Sequence, residues 1–259
     1  MPDEIFYLTK FLSITFGLMV GSFLNVVIHR IPREQSIVFP GSTCPKCGHK
    51  IKWYENIPVL SYLALGGKCS NCKTKISLRY PIIELTVGII AGLLAPKFFT
   101  PNAILMFLFY FSIACIFLSH FLIDIEFQIL PDKINLYFLA IALPFAILNF
   151  PLAYWLIGGA IGFLGPFTVT YLFYKLRGQI GLGGGDIKLF GILGLLLGPL
   201  GVLNTIFLSC MIGAIFGITL IVIKKMGKDT PLAFGPFILI VAAIQIFFPE
   251  FAQNFYFVN

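Results

Sequence analysis

Long uncharged runs of apolar residues, separated by short polar breaks, make up most of the chain. A helix needs roughly 20 such residues to cross the hydrocarbon core of a bilayer. Measured against that length, the runs predict eight membrane-spanning helices. One falls in 11–30, two in 81–123, two in 133–175, two in 188–224 and one in 230–249.

Polar and helix-breaking residues mark where the longer runs should turn. The run in 133–175 is expected to turn near Asn149-Phe150-Pro151. The run in 188–224 is expected to form two short spans around Gly198-Pro199-Leu200-Gly201. Both runs are therefore predicted to be helical hairpins.

The composition indicates the same class of protein. Of the 259 residues, 58% are hydrophobic and only 11% are charged, and the mean hydropathy is +0.95. A soluble protein of this length would need much more polar surface to cover its core. We therefore predict an all-α polytopic membrane protein.

The lysines and arginines predict the orientation of the spans, because basic residues accumulate in cytoplasmic loops. With the N-terminus outside, only Lys10 and Lys97 of the 18 basic residues fall on the outer side. The other sixteen fall inside, among them Lys224, Lys225 and Lys228. The net charge of +7 is therefore a consequence of topology. It predicts the lipid bilayer as a partner and no nucleic acid.

The segment 30–80 is predicted to be a small cytosolic domain, because it holds nine of the 18 basic residues and four of the six cysteines. Cys44/Cys47 and Cys69/Cys72 form two C-x-x-C pairs that are 21 residues apart. Two such turns can present four thiolates to one ion, so they predict a structural Zn²⁺. Free thiols, a redox pair or two disulfides are the alternatives, and a reducing cytosol disfavours disulfides.

Two aspartates are expected to meet at the cytosolic boundary of the membrane. Asp124 closes the third predicted span, which runs inward, and Asp186 opens the sixth, which runs outward. Residues two apart on a helix point nearly opposite ways. Glu126 should therefore point away from the pair, and Lys188 should not neutralise Asp186.

Asp124 and Asp186 are accordingly a candidate catalytic dyad. Two neighbouring carboxylates cannot both ionise at low energetic cost, so one retains a proton. The charged member can then activate a water while the neutral member protonates a carbonyl oxygen, which is peptide hydrolysis by general acid–base catalysis. Because the pair titrates as a unit, neither role belongs to a particular aspartate.

Gly183, Gly184 and Gly185 precede Asp186, and without side chains they would let an extended substrate backbone approach. A phosphate loop is disfavoured, because GLGGGDIK lacks the Lys-Ser/Thr ending of a P-loop. A dinucleotide fingerprint is disfavoured as well, because no strand and βαβ unit precede it. The structural alternative is a helix cap with glycines in the turn.

Several of these motifs together resemble a known family. G-x-G-D at 183–186, with an aspartate at the inner end of an earlier span, resembles the intramembrane aspartyl proteases. The following segments are similar to the bacterial type IV prepilin peptidases: GSFLNVVIHRIP at 21–32, the cysteine segment at 44–77, RYPIIELT at 79–86, LIDIEFQILPD at 122–132, GGGDIKL at 183–189 and AFGPF at 233–237. Glu126 stands where many members have a second aspartate, and Ala233 where some have proline.

The resemblance implies two activities. One is cleavage of type IV prepilins and type II secretion pseudopilins on the cytosolic side of the bacterial inner membrane, after the glycine that ends a short basic leader. The other is methylation of the new N-terminal residue, with S-adenosylmethionine as the donor. By motif match, Asp124 and Asp186 carry the cleavage. The residues that bind the donor stay unknown, because the sequence has no Rossmann-type glycine fingerprint.

The motifs divide the chain into a first span at 1–29, a cytosolic four-cysteine zinc-binding domain at 30–80 and a protease core of about seven spans at 81–259. The polar and aromatic segment Trp53-Tyr54-Glu55-Asn56 of the loop is a candidate for methylation or docking, or an ordinary domain surface.

Three other readings remain open from the residues alone. An ion-coupled transporter also uses intramembrane carboxylates, but it would place them near the midplane. A leader peptidase without methyltransferase activity is a variant of the first interpretation. A zinc-bearing scaffold without catalysis would leave the Gly-Gly-Gly-Asp element unexplained.

Overall fold

The computed structural model describes residues 3–97, 100–179, 181–223 and 232–253. Every regular element in these ranges is helical, apart from two isolated β-bridges in the cysteine segment. Lys224, Lys225 and Lys228 and the predicted start of the last span at Thr230 lie outside the described residues. The prediction of an all-α fold is confirmed for the part of the chain that is described.

Nine α-helices follow one another along the described residues. They are α1 (Asp3–Arg30), α2 (Leu60–Ala64), α3 (Arg79–Leu94), α4 (Pro101–Phe127), α5 (Asp132–Asn149), α6 (Leu152–Arg177), α7 (Gly184–Val222), α8 (Gly235–Phe247) and α9 (Pro249–Gln253). Short 3₁₀ turns lie at Ile31–Arg33 and Trp53–Asn56. The chain forms two compact units, Met1–Cys115 and Ile116–Asn259.

Five described helical segments are long and apolar enough to cross a membrane, which makes the chain a multi-pass membrane protein. They are Glu4–Arg33, Pro101–Phe127, Asp132–Asn149, Leu152–Arg177 and Gly184–Val222. Two further apolar helices are shorter, with 16 residues in α3 and 13 in α8. The total of eight spans remains a prediction.

In the first unit, α1 packs closely against α3 through small residues. A Cβ at Gly17 would lie 2.6 Å from the Cβ of Ala91, and one at Gly88 would lie 2.8 Å from Leu18 Cδ2. Small residues allow helix backbones to approach in this way, which is a common means of association in membranes. The glycines of the first predicted span therefore serve helix packing.

The cysteine segment is attached to this helix pair by a buried carboxylate. The backbone N–H of Val59 donates to Glu84 Oε2 at 2.8 Å, and Glu84 is only 8% exposed. The side chain of Asn25 donates to the Tyr80 carbonyl oxygen at 3.2 Å. Glu84 therefore holds the segment against α3, a role that its position one turn into that helix does not indicate.

In the second unit, α7 reverses direction at Gly198. This residue has a left-handed backbone conformation, with φ 68° and ψ −173°. A Cβ at Gly162 would contact both the Phe190 carbonyl and Val202 Cγ2. Residues twelve apart in one continuous helix would be about 18 Å apart along its axis, so the first arm (184–197) and second arm (199–222) form a hairpin. The predicted turn at Gly198-Pro199-Leu200-Gly201 is confirmed.

The neighbouring helices pack against this hairpin through glycines and one polar pair. A Cβ at Gly158 would overlap the Gly194 carbonyl oxygen, so α6 and the first arm are in backbone contact. Gln245 of α8 donates to the Thr205 hydroxyl at 2.8 Å, which joins α8 to the second arm. Gly162 lies next to Phe190, and a Cβ at Gly213 would lie 3.3 Å from Phe237 Cδ2. The order of the contacts therefore makes α6 antiparallel to the first arm and α8 antiparallel to the second. The starts of α7 and α8 therefore lie at the same end of the unit.

Candidate active site and cysteine cluster

Asp124 lies in the last turn of α4 and is only 4% exposed. The backbone N–H of Gly235, the first residue of α8, donates to its Oδ2 at 2.9 Å. A Cβ at residue 235 would lie only 2.8 Å from the same oxygen. Glycine is therefore needed there for the carboxylate to approach the backbone so closely.

Asp186 is the third residue of α7 and is half-buried. Its carboxylate accepts a hydrogen bond from the backbone N–H of Gly183, which precedes the helix. This bond is one half of a capping box, so Asp186 does cap its helix. Its Oδ1, however, is buried and has no hydrogen-bond partner among the described residues. Capping accordingly accounts for only part of what this carboxylate does.

The two aspartates are 62 positions apart in the sequence and lie together in the fold. Their carboxylates are close enough for the charge of Asp124 to act on Asp186. Leu130, which is 7% exposed, separates the first turns of α7 and α8 beside them. A Cβ at Gly185 would lie 2.7 Å from the Leu130 carbonyl oxygen, and one at Gly235 would lie 3.1 Å from its Cδ2. Each carboxylate thus combines one backbone N–H bond with tightly packed surroundings.

The three glycines before Asp186 have different neighbours. A Cβ at Gly183 would lie 2.9 Å from Asp186 Oδ2, and one at Gly185 would meet Leu130. These two glycines are therefore required by the packing of the chain itself. A Cβ at Gly184 would meet nothing within 4 Å. Of the three, Gly184 is the one that borders open space.

Two charged residues that follow the aspartates in sequence, Glu126 and Lys188, have other surroundings. Glu126 is exposed, whereas Asp124 is buried. Lys188 forms an ion pair with Asp132 at 2.6 Å, and their side chains are 48% and 71% exposed. The expectation that Lys188 does not neutralise Asp186 agrees with this pairing.

A cleft of about 550 Å³ opens beside the ion pair, between α5, α6 and the first arm of α7. Its walls are mainly apolar and include Leu136, Phe163 and Leu195, while Asp132 and Lys188 lie at its rim. Since Lys188 is two residues beyond Asp186, the cleft brings apolar space close to the start of α7.

The four cysteines of the two C-x-x-C turns lie together in the first unit. Their sulfur atoms are all within 4.8 Å of one another, and Cys44 Sγ is 3.8 Å from Cys72 Sγ. A tetrahedral ion with Zn–S bonds of about 2.3 Å requires sulfur atoms roughly 3.8 Å apart. None of the six cysteines, all of which are in the described residues, forms a disulfide. The cluster therefore has the size and chemistry of a metal site.

The two cysteine turns have the same backbone hydrogen bonds. The N–H of Cys44 donates to the His49 carbonyl and that of Cys69 to the Thr74 carbonyl, both at 2.9 Å. Isolated bridges then pair Thr43 with Lys50 and Lys68 with Lys75 at equivalent positions. Each turn thus forms by local bonds and presents its thiols to the other.

Two of the four thiols, those of Cys44 and Cys72, have lowered pKa values, which favours the thiolate form that binds a cation. The hydroxyl and the backbone N–H of Thr74 lower the pKa of Cys72 to about 6, so its thiolate is populated at neutral pH. The backbone N–H of Cys47 is the main cause of the lowered pKa of Cys44. The neighbouring His49 is not part of the four-cysteine group. Its Nε2 lies 3.5 Å from Glu55 Oε2.

Gly235 and Leu130 are the residues of the site that the sequence did not indicate. Gly235 lies in AFGPF, a motif noted only for its resemblance, and its backbone N–H leaves no side-chain signature. A glycine followed by proline at a helix start was the available signal, because such a start leaves backbone N–H groups free for an anion.

Comparison with known proteins gives a consistent family. Residues 15–98 match the bacterial peptidase A24 N-terminal domain, and residues 109–218 match the type IV leader peptidase family. The chain is 38% identical to the prepilin leader peptidase/N-methyltransferase of Pseudomonas aeruginosa, over 90% of this chain and 88% of that protein. It is 37% identical to the protein of that name from Stutzerimonas stutzeri, over 90% and 89%.

A relative of the same name from Aeromonas hydrophila is 34% identical over 94% of this chain and 92% of its own length. No solved structure matches the chain. The family models cover both the cysteine segment and the two aspartates. The chain belongs to the type IV leader peptidase family.

Proposed function

We propose that this protein is an aspartic endopeptidase that cleaves the basic leader of type IV prepilins and pseudopilins and then N-methylates the new N-terminal residue. The observation that carries the proposal is the meeting of Asp124 and Asp186, each held by the backbone N–H of a glycine. The family and the names of the relatives support the same two reactions.

Asp124 and Asp186 form the proposed catalytic dyad. Because two adjacent carboxylates share one proton, one member removes a proton from the attacking water and the other protonates the peptide carbonyl oxygen. The unpaired Oδ1 of Asp186 can accept a hydrogen bond from such a water. The glycine N–H bonds to each aspartate fix the carboxylates without adding another titratable group.

The substrate backbone approaches the dyad at Gly184. This glycine precedes Asp186 by two residues and has open space where a side chain would lie. An extended peptide can therefore reach the carboxylate from that side. Gly183 and Gly185 support the approach indirectly, since they allow the first turn of α7 to pack against Leu130.

The cysteine cluster is proposed to hold one structural zinc ion through Cys44, Cys47, Cys69 and Cys72. When bound, the ion supplies local folding energy, because four thiolates cannot be brought together without a cation. Trp53 lies on a 3₁₀ turn of the same segment and is 81% exposed. It offers an aromatic contact for a peptide or for the methyl donor.

The second reaction moves a methyl group from S-adenosylmethionine to the amine that cleavage exposes. Loss of a proton from that amine provides the lone pair that attacks the methyl carbon. As the new C–N bond forms, the methyl C–S bond of the donor breaks, its electron pair stays on sulfur and S-adenosylhomocysteine leaves. Methylation therefore follows cleavage in order.

The active site is proposed to face the cytosol in the bacterial inner membrane. The support is the distribution of basic residues, because only Lys10 and Lys97 would lie outside. Reporter fusions at Lys97 and near Asn149 should report the outer face, and fusions within 34–79 the cytosol. Fusions with the reverse pattern would contradict a cytosolic active site.

The experiment for the function as a whole uses the purified protein in detergent. It is incubated with a prepilin and S-adenosylmethionine, and the product mass is measured. We expect a product that lacks the leader and carries one added methyl group. An intact prepilin would contradict the proposal, and a cleaved but unmethylated product would reduce it to a leader peptidase alone.

A further inference from the structure

A buried histidine and a buried asparagine lie next to the dyad without a part in the proposed chemistry. His120 precedes Asp124 by one turn of α4 and is 0% exposed, and Asn135 of α5 is 3% exposed. In the part of the chain that the structure describes, neither imidazole nitrogen has a hydrogen-bond partner. The Oδ1 of Asn135 has none either.

Asn135 is connected to the residue that precedes Asp186. Its Nδ2 donates to the Gly185 carbonyl oxygen at 3.3 Å. The Cα of Gly185 meanwhile packs against Leu130, whose carbonyl oxygen would lie 2.7 Å from a Cβ there. The segment 130–135 therefore fixes Gly185 on two sides, and through it the position of Asp186.

Stability alone does not explain these two polar residues. A buried polar atom without a partner costs about 1–3 kcal/mol, and even when His120 and Asn135 bond to each other, one buried imidazole nitrogen stays unpaired. Apolar side chains fill the neighbouring space between α4 and α5, where Phe117 and Phe138 are in edge-to-face contact at 5.8 Å. Apolar residues at 120 and 135 would avoid the cost, so the polar pair requires another explanation.

We infer that His120 and Asn135 are positioning residues that set Asp186 against Asp124. The imidazole lies beside the Asn135 side chain, and a neutral imidazole has one N–H donor for the unpaired Oδ1. That interaction keeps Nδ2 of the amide directed at the Gly185 carbonyl. His120 and Asp124 are four residues apart and share a face of α4. The chain of contacts therefore runs from the helix of one aspartate to the helix of the other.

This inference rests on the proposed dyad, and its test compares the two reactions of the same protein. Asn135→Leu and His120→Leu replace each group by an apolar side chain of similar size, and His120→Gln retains an amide donor. Each purified variant is measured for prepilin cleavage, for methylation of a pilin that has already been cleaved, and for its melting temperature.

For both leucine variants we expect kcat for cleavage to fall about 10–100-fold, the effect of a displaced catalytic group. KM and the methylation rate should stay close to those of the parent protein. His120→Gln should recover most of the lost kcat. Because the two residues act through one contact, the double leucine variant should be no worse than the poorer single variant.

Two results would overturn the inference. One is an unchanged kcat in a folded Asn135→Leu protein, and the other is a parallel loss of cleavage and methylation with a lowered melting temperature. If Asn135→Leu does not fold, Asn135→Ala removes the amide without adding bulk and decides the question in the same assays. Asp186→Asn is measured alongside, and cleavage by that variant would refute the dyad itself. Loss of cleavage in Asp186→Asn with full cleavage by Asn135→Leu would refute the positioning pair alone.

Discussion

The cysteine cluster and the aspartate pair differ in how far along the chain their supporting contacts reach. In the cluster, each pair of thiols is held by backbone bonds within one short turn, such as Cys44 N–H to the His49 carbonyl at 2.9 Å. In the dyad, Asp124 is held by the N–H of Gly235, 111 residues later, at 2.9 Å. The cluster is assembled locally, and the dyad is assembled by helix packing.

This difference determines what each region needs in order to form. The cysteine turns bring together two buried thiols, Cys44 and Cys69, and two exposed ones, Cys47 and Cys72. The proposed cation would offset the charge of their thiolates. The aspartate pair is held by backbone N–H groups and depends on the close packing of Leu130 between Gly185 and Gly235. The cluster should therefore be sensitive to metal removal, and the dyad to small changes in volume.

The largest effect on local stability is expected from breaking the cysteine cluster. Cys44→Ser or Cys69→Ser should release the bound metal and loosen residues 40–76, because structural zinc contributes of order 10 kcal/mol in small domains. Metal analysis and limited proteolysis measure the outcome, and methylation should fall more than cleavage. Cys210→Ser, outside the cluster, is the control and should keep its metal. Absence of stoichiometric zinc in the parent protein, purified without chelator, would contradict the site.

An intermediate effect is expected from adding one methyl group beside the dyad. Gly185→Ala places a Cβ against the Leu130 backbone and should destabilise the protein by about 1–3 kcal/mol, with a clear loss of cleavage. Gly184→Ala is the matched control for packing, since its Cβ meets nothing within 4 Å. It should melt like the parent protein and lose cleavage only through hindered substrate approach.

Melting temperature and kcat/KM for prepilin distinguish these two variants. Equal melting temperatures for Gly185→Ala and the parent protein would contradict the proposed packing of Leu130. Unchanged kcat/KM for Gly184→Ala would show that the substrate does not approach at that residue.

The smallest effect is expected at the exposed charges. Asp132→Asn should break the ion pair with Lys188, which is largely exposed and therefore worth at most about 1 kcal/mol. Glu126→Gln changes an exposed carboxylate outside the pair. Both variants should retain most of the cleavage activity of the parent in the prepilin assay. A loss as large as that of an Asp124 variant would place the changed residue in the catalytic machinery.

The sequence predicted those features that leave a side-chain or periodic signal. Spaced cysteines indicated the cluster, and a glycine-proline break in a long apolar run indicated the reversal of α7 at Gly198. Alternating span directions placed Asp124 and Asp186 at one end, because each span reverses the chain. These inferences needed only local pattern and the thickness of a bilayer.

The supporting contacts of the dyad could not be predicted in the same way. Gly235 acts through its backbone N–H, and Leu130 through its shape, so neither has a chemical signature in the sequence. Asn135 and His120 are polar residues in apolar runs, but their connection to Gly185 depends on how α4, α5 and α7 pack. The different roles of Gly183, Gly184 and Gly185 likewise appear only in their neighbours.

The most direct test of the account is prepilin cleavage by Asp124→Asn, Asp186→Asn and the double variant. Asparagine is nearly isosteric with aspartate but can neither share the proton nor ionise. Each single variant should lose cleavage by about 10³-fold or more, and the double variant should be no worse, because the two residues act as a unit. Melting and methylation of a pre-cleaved pilin should stay near the parent values. Full cleavage by a well-folded Asp186→Asn protein would contradict the account and leave that aspartate as a helix cap.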